Sequence, residues 1–355
     1  MLDIKITKTT HPKEKPQDES KLGFGEIFTD HMFLMNYTEG QGWHDARIIP
    51  YADFSLNPAA MVLHYGQAIF EGMKAYRNPE GKVQLFRPMD NLQRFNRSAE
   101  RLCIPAIDCD FVLDALRQLI SLEQDWVPHL QGTSLYIRPF AIATDPQLGV
   151  HVAKQYIFAI ILSPVGAYYA EGLKPVRIFV ENEYVRSVRG GMGFAKAAGN
   201  YACSLIADHE AQKKGCAQVL WLDGVERKYI EEVGSMNIMF KIAGKIVTPP
   251  LRGSILAGIT RDSVLKLAKQ LGIEAEERLI SIDEVFAAYE NGTLEEVFGT
   301  GTAAVISPVG GLVWGDREIV INNNEIGPTA QLLYNTLTGI QYGTVEDKQN
   351  WVVAL

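Results

Sequence analysis

The chain has 355 residues, 47% hydrophobic and 21% charged, the balance of a globular protein long enough for two domains. Its formal charge of -8, with no block of Lys or Arg, argues against a nucleic-acid partner, because phosphate binding needs a basic face. The Met1 end lacks the basic start and long apolar stretch of a secretory signal, so a cytoplasmic location with no membrane partner is expected.

The polar, proline-broken segment 11–21 is expected to be mobile. Short strands and turns are predicted over 47–87, among them 81–86, whose alternation marks a half-buried strand. Asp90 is read as the N-cap of a helix reaching residue 102. That helix would bury Leu92, Phe95, Ala99 and Leu102 and carry Arg94, Arg97 and Arg101 on a neighbouring stripe. Strands are expected at 134–142 and 156–162. The apolar run 156–165 is too short to span a bilayer and reads as a buried strand. The pattern loosens over 165–172, where glycines frame Tyr168 and Tyr169. The domain junction is placed there: a small α+β domain over 1–165, an interdomain loop over 166–175 and a large domain over 176–355.

The second half opens with a strand at 176–180 and the glycine cluster 189–193. A helix from Asn200 is expected to end at Gly215, with Lys213 and Lys214 in its last turn. Strands 217–222 and 229–232 meet through Asp223-Gly224, a hairpin signal, and another hairpin closes at Ala243-Gly244-Lys245. Helix 260–271 stops at Gly272, and Ser281 with Glu284 forms a capping box for a short helix. A strand at 294–298 enters Gly299-Thr300-Gly301-Thr302-Ala303-Ala304, and a helix over 328–342 follows. Strands mixed with helices without regular alternation place the chain in the α+β class. Cys103, Cys109, Cys203 and Cys216 form neither a CxxC pair nor a zinc-ligand cluster, and read as reduced core residues; no metal is expected.

Three loops draw attention on chemical grounds. Lys196 follows the glycine-rich stretch Gly190-Gly191-Met192-Gly193 and sits among Phe194, Ala195, Ala197 and Ala198. A lone lysine is usually a solvated surface charge, but one desolvated by such neighbours becomes a nucleophilic amine. Gly253-Ser254-Ile255-Leu256-Ala257-Gly258-Ile259-Thr260 feeds a helix N-terminus, where backbone amides and the helix dipole favour an anion. It is equally a glycine loop that simply starts a helix. The 299–304 turn can aim amides and hydroxyls at a carboxylate or phosphate, or serve only as a tight turn. Glu231 and Glu232, at a strand end, are by default solvated, although strand geometry would point one of them inward. A lysine, two anion-receptive turns and a buried acid are the parts of a pyridoxal-phosphate site.

The stretches Gly-Gly-Met-Gly-Phe-Ala-Lys196-Ala-Ala-Gly-Asn-Tyr201 and Glu232-Val-Gly-Ser-Met-Asn-Ile strongly resemble the branched-chain aminotransferases of the fold-type IV (class IV) aminotransferase group. Phe28-Thr-Asp-His-Met, Leu63-His-Tyr-Gly-Gln-Ala-Ile-Phe-Glu-Gly-Met-Lys-Ala-Tyr, Leu85-Phe-Arg-Pro, Ser134-Leu-Tyr-Ile-Arg-Pro and Val297-Phe-Gly-Thr-Gly-Thr-Ala-Ala look like further family segments in family order. The resemblance runs from about Gly23 to the end. It implies a two-domain fold-type IV enzyme, like D-amino-acid aminotransferase in fold, whose second domain binds pyridoxal 5'-phosphate. It implies that Lys196 holds the cofactor and shuttles a proton, that Glu232 bonds the pyridine nitrogen and that Tyr201 bonds the phenolic oxygen. Arg94, the amides of Ile259 and Thr260, and Thr302 would take the phosphate.

For the substrate, the resemblance implies that the Thr302 and Ala303 amides and the Tyr136 hydroxyl hold the α-carboxylate. Phe24, Tyr65, Phe70 and Tyr168, with Val150 of the partner subunit, would form the apolar pocket, and Arg138 would admit the second carboxylate of glutamate. Core packing is the alternative role for these aromatics. A homodimer acting on small amino acids and 2-oxo acids is implied. Ala304 and Ser307 stand where some mammalian relatives carry a redox-sensitive CxxC, so thiol regulation is not expected there; Ala257 fills a loop position often occupied differently. The expected activity is reversible transamination of leucine, isoleucine or valine with 2-oxoglutarate. D-amino-acid aminotransferase, aminodeoxychorismate lyase and a catalytically silent ligand-binding scaffold are the rivals.

Overall fold

Among the described residues the strands fall into two sheets, one in each of two units. The structure, a computed structural model, describes residues 2–166 and 173–355; Tyr168 and most of the expected interdomain loop lie outside the described residues. One unit comprises Met1–Ala170, Ala195–Gly199 and Gly339–Leu355, the other Glu171–Phe194 and Asn200–Thr338.

In the first unit the sheet runs from Lys5–Ile6 at one edge to Val352–Ala354 at the other. Its centre is the long antiparallel pair Ser134–Ala143 and Gln155–Val165, in register from Ser134 opposite Val165 to Ala143 opposite Tyr156. Burial at the centre of a sheet accounts for the apolar run at 156–165. Val83–Phe86 departs from expectation: all four of its residues are buried. Val83 and Leu85 enter the core, while on the other side Gln84 donates to the Gln341 carbonyl at 2.8 Å and Phe86 lies edge-on to Trp351. The C-terminal segment covers the face that the alternation had assigned to water.

The first long helix is Pro88–Arg101, and its N-cap is Arg87, in the left-handed region at φ 49°, rather than Asp90. Pro88 supplies the fixed φ of a first helical residue, and Asp90 accepts from Arg87 Nε at 2.7 Å. Leu92, Phe95 and Ala99 are buried as the periodicity requires, with Phe95 edge-on to Phe158 at 5.3 Å. Leu102 is only half-buried, and the arginine stripe divides, with Arg94 buried and Arg97 and Arg101 exposed. Segment 11–21 is also better anchored than its composition suggests: the Lys13 amide donates to Asp30 at 2.7 Å and its ammonium to the Phe28 and Thr29 carbonyls.

In the second unit Ile230–Val233 pairs with both Gln218–Leu222 and Met236–Ile242. Through Val176–Val180, Val305–Trp314 and Leu294–Gly301 these strands close into a ring around an apolar core. The expected helix 200–215 is two helices, Ala198–Ala202 and Leu205–Lys213. Between them the Ser204 hydroxyl donates to the Tyr201 carbonyl at 2.9 Å, taking an acceptor the helix would have used. Asp223-Gly224 does not form a two-residue hairpin. The connection covers 223–229 and is organised by Asp223, whose carboxylate accepts four backbone amides. Strand Leu294–Gly301 extends through Gly299-Thr300-Gly301, leaving only 302–304 as the turn. Ser281 caps Ile282–Glu290, accepting from the Glu284 amide at 3.1 Å. Of the four cysteines only Cys216 is buried; Cys109 is intermediate, and Cys103 and Cys203 are exposed, contrary to the core reading. Among the described residues no helix is long and apolar enough to cross a membrane.

Lys74, on strand Met73–Arg77, is buried, and burial pushes its ammonium down to about 8 from the ordinary 10.5. The unfolded chain therefore binds one more proton than the folded one between those values, so this lysine makes stability rise with pH across that window. Chemical denaturation should give wild type a gain of about 3 kcal/mol between pH 8 and 10.5 relative to Lys74→Met, whose own curve lacks this contribution.

Candidate functional site

In the first unit, helix Pro88–Arg101 and strand Ala68–Phe70 carry the key groups. Glu71 is fully buried, and it holds Arg94 in a two-pronged ion pair, Nε to Oε1 at 2.7 Å and Nη2 to Oε2 at 2.9 Å. Two buried charges of this kind persist only when mutually paired and hydrogen-bonded, and the fork geometry fixes the guanidinium's plane. One turn further along the helix, Ser98 Oγ accepts from the Lys196 amide at 2.8 Å. On the other side of that lysine's backbone, its carbonyl accepts from the Phe70 amide at 3.0 Å, and Ala197 bridges Ile69. Lys196 is thus fixed by two backbone bonds while its half-buried ammonium lies 4.8 Å from the Phe70 ring centre. The apolar company read from the sequence is partial: Ala195 and Ala197 are buried, but Phe194 is exposed.

The Phe70 ring also meets Arg138, whose guanidinium is 4.8 Å from its centre. Arg138 donates to the Tyr136 hydroxyl at 3.2 Å, and Phe24 sits edge-on to the Tyr136 ring at 5.0 Å. Residues 136 and 138 share a sheet face by strand alternation. Gly72 makes room for this tyrosine, since a Cβ there would lie 2.0 Å from its hydroxyl oxygen. Phe24, Phe70, Tyr136 and Arg138 therefore form one cluster. Tyr65 packs on His64 and donates to the Leu148 carbonyl, which ties it to the 147–152 loop, where Val150 is 80% exposed. Nothing in this unit joins Val150 to the aromatic cluster among the described contacts.

In the second unit, Glu232 is 2% exposed and fully engaged. Its Oε2 pairs with Arg186 Nε at 2.7 Å, and its Oε1 accepts from the Leu256 amide at 2.9 Å and from Asn237 Nδ2 at 3.3 Å. Arg186 further donates to the Gly193 and Ser254 carbonyls. These bonds favour the charged carboxylate. Glu232 pairs with Asn237 and Asn237 with Thr300 across adjacent antiparallel strands, so the three share a row and a face. Thr300 Oγ1 on that row is buried and has no partner among the described residues.

Helix Ile259–Gln270 begins beside this row. Gly258, its N-cap, brings no capping side chain, and a Cβ there would lie 2.0 Å from Asn237 Oδ1. Ile259 and Thr260, both buried, are the helix's first residues, at an N-terminus without a side-chain cap. Thr302 and Ala303 are half-buried in the turn between Leu294–Gly301 and Val305–Trp314. Tyr201 is half-buried near the end of Ala198–Ala202. Sequence reasoning did not single out Glu71, Ser98, Arg186, Asn237 or Thr300. Glu71, Asn237 and Thr300 stood in quoted segments without a role of their own, while Ser98 and Arg186 acquire theirs through partners distant in sequence.

Residues 68–312, more than half of the chain, match the family model for amino-transferase class IV. The chain belongs to the class IV aminotransferases. It is 59% identical over 348 residues to branched-chain-amino-acid aminotransferase 2 of Bacillus subtilis, covering 98% of this chain and 96% of that one. A probable branched-chain-amino-acid aminotransferase of Staphylococcus epidermidis is also 59% identical, over 351 residues, with 99% and 98% covered. Among solved structures, the Escherichia coli branched-chain amino acid aminotransferase aligns with a TM-score of 0.76 at 29% identity, covering 91% of this chain and 98% of that one. The T.th. branched-chain amino acid aminotransferase solved with pyridoxamine 5'-phosphate aligns at 0.74 and 28% identity, covering 90% and 97%. The mixed α+β architecture is that of these fold-type IV relatives.

In this class IV aminotransferase, Arg186→Met removes the charged partner of the buried Glu232 carboxylate. Denaturant titration should show a loss of about 3–5 kcal/mol, with Arg186→Lys intermediate, because one partner of a buried pair has been removed.

Proposed function

We propose that this chain is a branched-chain-amino-acid aminotransferase, which reversibly passes the amino group of L-leucine, L-isoleucine or L-valine to 2-oxoglutarate with pyridoxal 5'-phosphate as cofactor. The observation that carries the reading is 59% identity, over nearly the full length of both chains, to the Bacillus subtilis enzyme of that name. The donor set suits the cofactor. It contains a primary amine, a buried ionised acid, a cation held in a fork and an uncapped helix start, and Thr300 Oγ1 is a buried polar atom in want of a partner.

When bound, pyridoxal phosphate supplies an electron-poor ring that stabilises negative charge at the substrate's α-carbon. Lys196 anchors the cofactor through its amine and moves a proton to and from the substrate, with its backbone fixed by Ser98 and Phe70 so that only the side chain has to swing. Glu232, kept ionised by Arg186 and the Leu256 amide, holds a proton on the ring nitrogen. Tyr201 donates to the phenolic oxygen. Arg94, the amides of Ile259 and Thr260, and Thr302 bind the phosphate, with Arg94 aimed by Glu71.

The Thr302 and Ala303 amides and the Tyr136 hydroxyl take the α-carboxylate. Phe24, Tyr65, Phe70 and Tyr168 receive the aliphatic side chain together with Val150 of the partner subunit, in a homodimer. Val150 is 80% exposed in its own chain, which supports that assignment. Arg138, stacked on Phe70 and bonded to Tyr136, gives the second carboxylate of glutamate a cation within the same apolar pocket. One pocket can thereby serve both half-reactions.

Visible absorption of the purified protein tests the reading. The yellow band should fade with L-leucine and return with 2-oxoglutarate; a band that ignores L-leucine and responds to a D-amino acid would overturn it. Lys196→Ala should lower steady-state turnover by at least about 10²–10⁴-fold, and retained turnover would remove Lys196 from its role.

A further inference from the structure

The loop between strands Ser134–Ala143 and Gln155–Val165 carries Val150, and its apolar side chains face outward. Leu148, Val150 and Val152 are exposed, whereas His151, between two of them, is partly buried. The base of the loop is fixed by its backbone. The Thr144 amide donates to the Gln155 carbonyl at 2.9 Å, the Met61 amide to the Asp145 carbonyl at 3.0 Å, and the Tyr65 hydroxyl to the Leu148 carbonyl. Across the tip, the His151 ring closes the loop.

Nδ1 of His151 lies 2.6 Å from the Gly149 carbonyl, and Nε2 lies 3.1 Å from Asp145 Oδ2. A carbonyl and a carboxylate only accept, so both ring nitrogens must donate, and only the imidazolium carries two N–H groups. A neutral ring leaves one of the two contacts without a proton. Asp145 depends on the same arrangement. It is buried, its Oδ2 also accepts from the Lys154 amide at 2.9 Å, and its Oδ1 has no hydrogen-bond partner among the described residues. A buried carboxylate served in this way is stabilised by a cation beside it. The Gly149 carbonyl and the Asp145 carboxylate hold the imidazole above its ordinary 6.5, against the opposing effects of burial and of Lys154. Among the described residues Asp145 and Lys154 are the charged groups acting on the ring, and Lys154 is itself paired with Glu39 at 3.2 Å.

We propose that His151 is a positioning residue for the aliphatic substrate: its imidazolium clasps Gly149 to Asp145 and so aims Val150 at the partner subunit's apolar pocket. The inference rests on the assignment of Val150 to that pocket. Loss of the ring proton removes one of the two bonds, and the loop tip must then be ordered anew each time substrate binds. Apolar contact with the substrate side chain weakens, while Lys196 and the backbone bonds that fix it are untouched. The effect therefore falls on substrate binding rather than on the chemical step. Because proton binding makes the clasp, it is present below the raised range of the imidazole and lost as pH rises through it.

Steady-state transamination of L-leucine by the holoenzyme tests this in wild type, His151→Gln, Val150→Ala and the double variant. At about pH 6, His151→Gln should raise KM by about two- to tenfold, the worth of one hydrogen bond, with kcat retained. At about pH 9 the two KM values should converge, because wild type has then lost the clasp as well. Adding His151→Gln to Val150→Ala should change KM little further, since the histidine acts through that side chain. A KM ratio that does not vary with pH, or full additivity with Val150→Ala, would overturn the proposal. The imidazole proton resonance of His151, identified by its absence from the His151→Gln spectrum, should titrate above about 6.5 in wild type, and a lower midpoint would also overturn it. If wild type fails to transaminate L-leucine at every pH, the functional reading falls by itself, and the titration midpoint still decides whether the clasp is made.

Discussion

A carboxylate that is 2% exposed must be compensated where it stands, and Glu232 organises much of the second unit by that requirement. Its compensation comes from Arg186, Asn237 and the Leu256 amide, three groups far apart in sequence. Arg186 directs its remaining donors to the Gly193 and Ser254 carbonyls, so the glycine turn ahead of Lys196 and the loop ahead of Ile259 are both bound to the acid's partner. Asn237, bonded to Glu232, also presses against Gly258 at the helix start. One buried charge thereby sets the positions of an acid, a glycine turn and an anion-receptive helix end.

The first unit uses the same device with the signs exchanged. Arg94 is the cation proposed to meet the cofactor's phosphate, and Glu71 is the buried group that fixes it. The helix that carries Arg94 also carries Ser98, which takes the backbone amide of Lys196. The cation and the lysine are therefore positioned by one rigid element, which is more precise than placing either on a loop. In both units the groups proposed to touch the cofactor are held by partners that do not touch it, and this is the arrangement a reaction dependent on fixed charges requires.

The sites where local rules and structure disagree are instructive. Arg87 adopts a left-handed backbone ahead of Pro88, so the helix begins earlier than Asp90 proposed. Ser204 interrupts a helix whose composition gave little reason to end there. Val83–Phe86 carries an alternating pattern yet is buried on both faces, because residues from the far end of the chain lie over it. Each difference arises from a side chain or segment acting on a distant or atypical partner, which periodicity does not encode.

What the sequence determined by itself was local or compositional. Strand and helix periods, the Ser281 cap, the 243–244 turn and the family segments around Lys196 and Glu232 all follow from residues close together in the chain. Of the adjacent acids Glu231 and Glu232, alternation required opposite faces but could not say which would be the paired one. Only the tertiary structure decided that, by bringing Arg186 and Leu256 to Glu232 and leaving one oxygen of Glu231 buried without a partner among the described residues. Arg94, which periodicity alone grouped with Arg97 and Arg101 and which the family resemblance singled out, is set apart in the fold by burial beside Glu71. Charge compensation is a three-dimensional condition: a sequence specifies which ions are present, and folding selects which of them lose their water and which partner must then replace it.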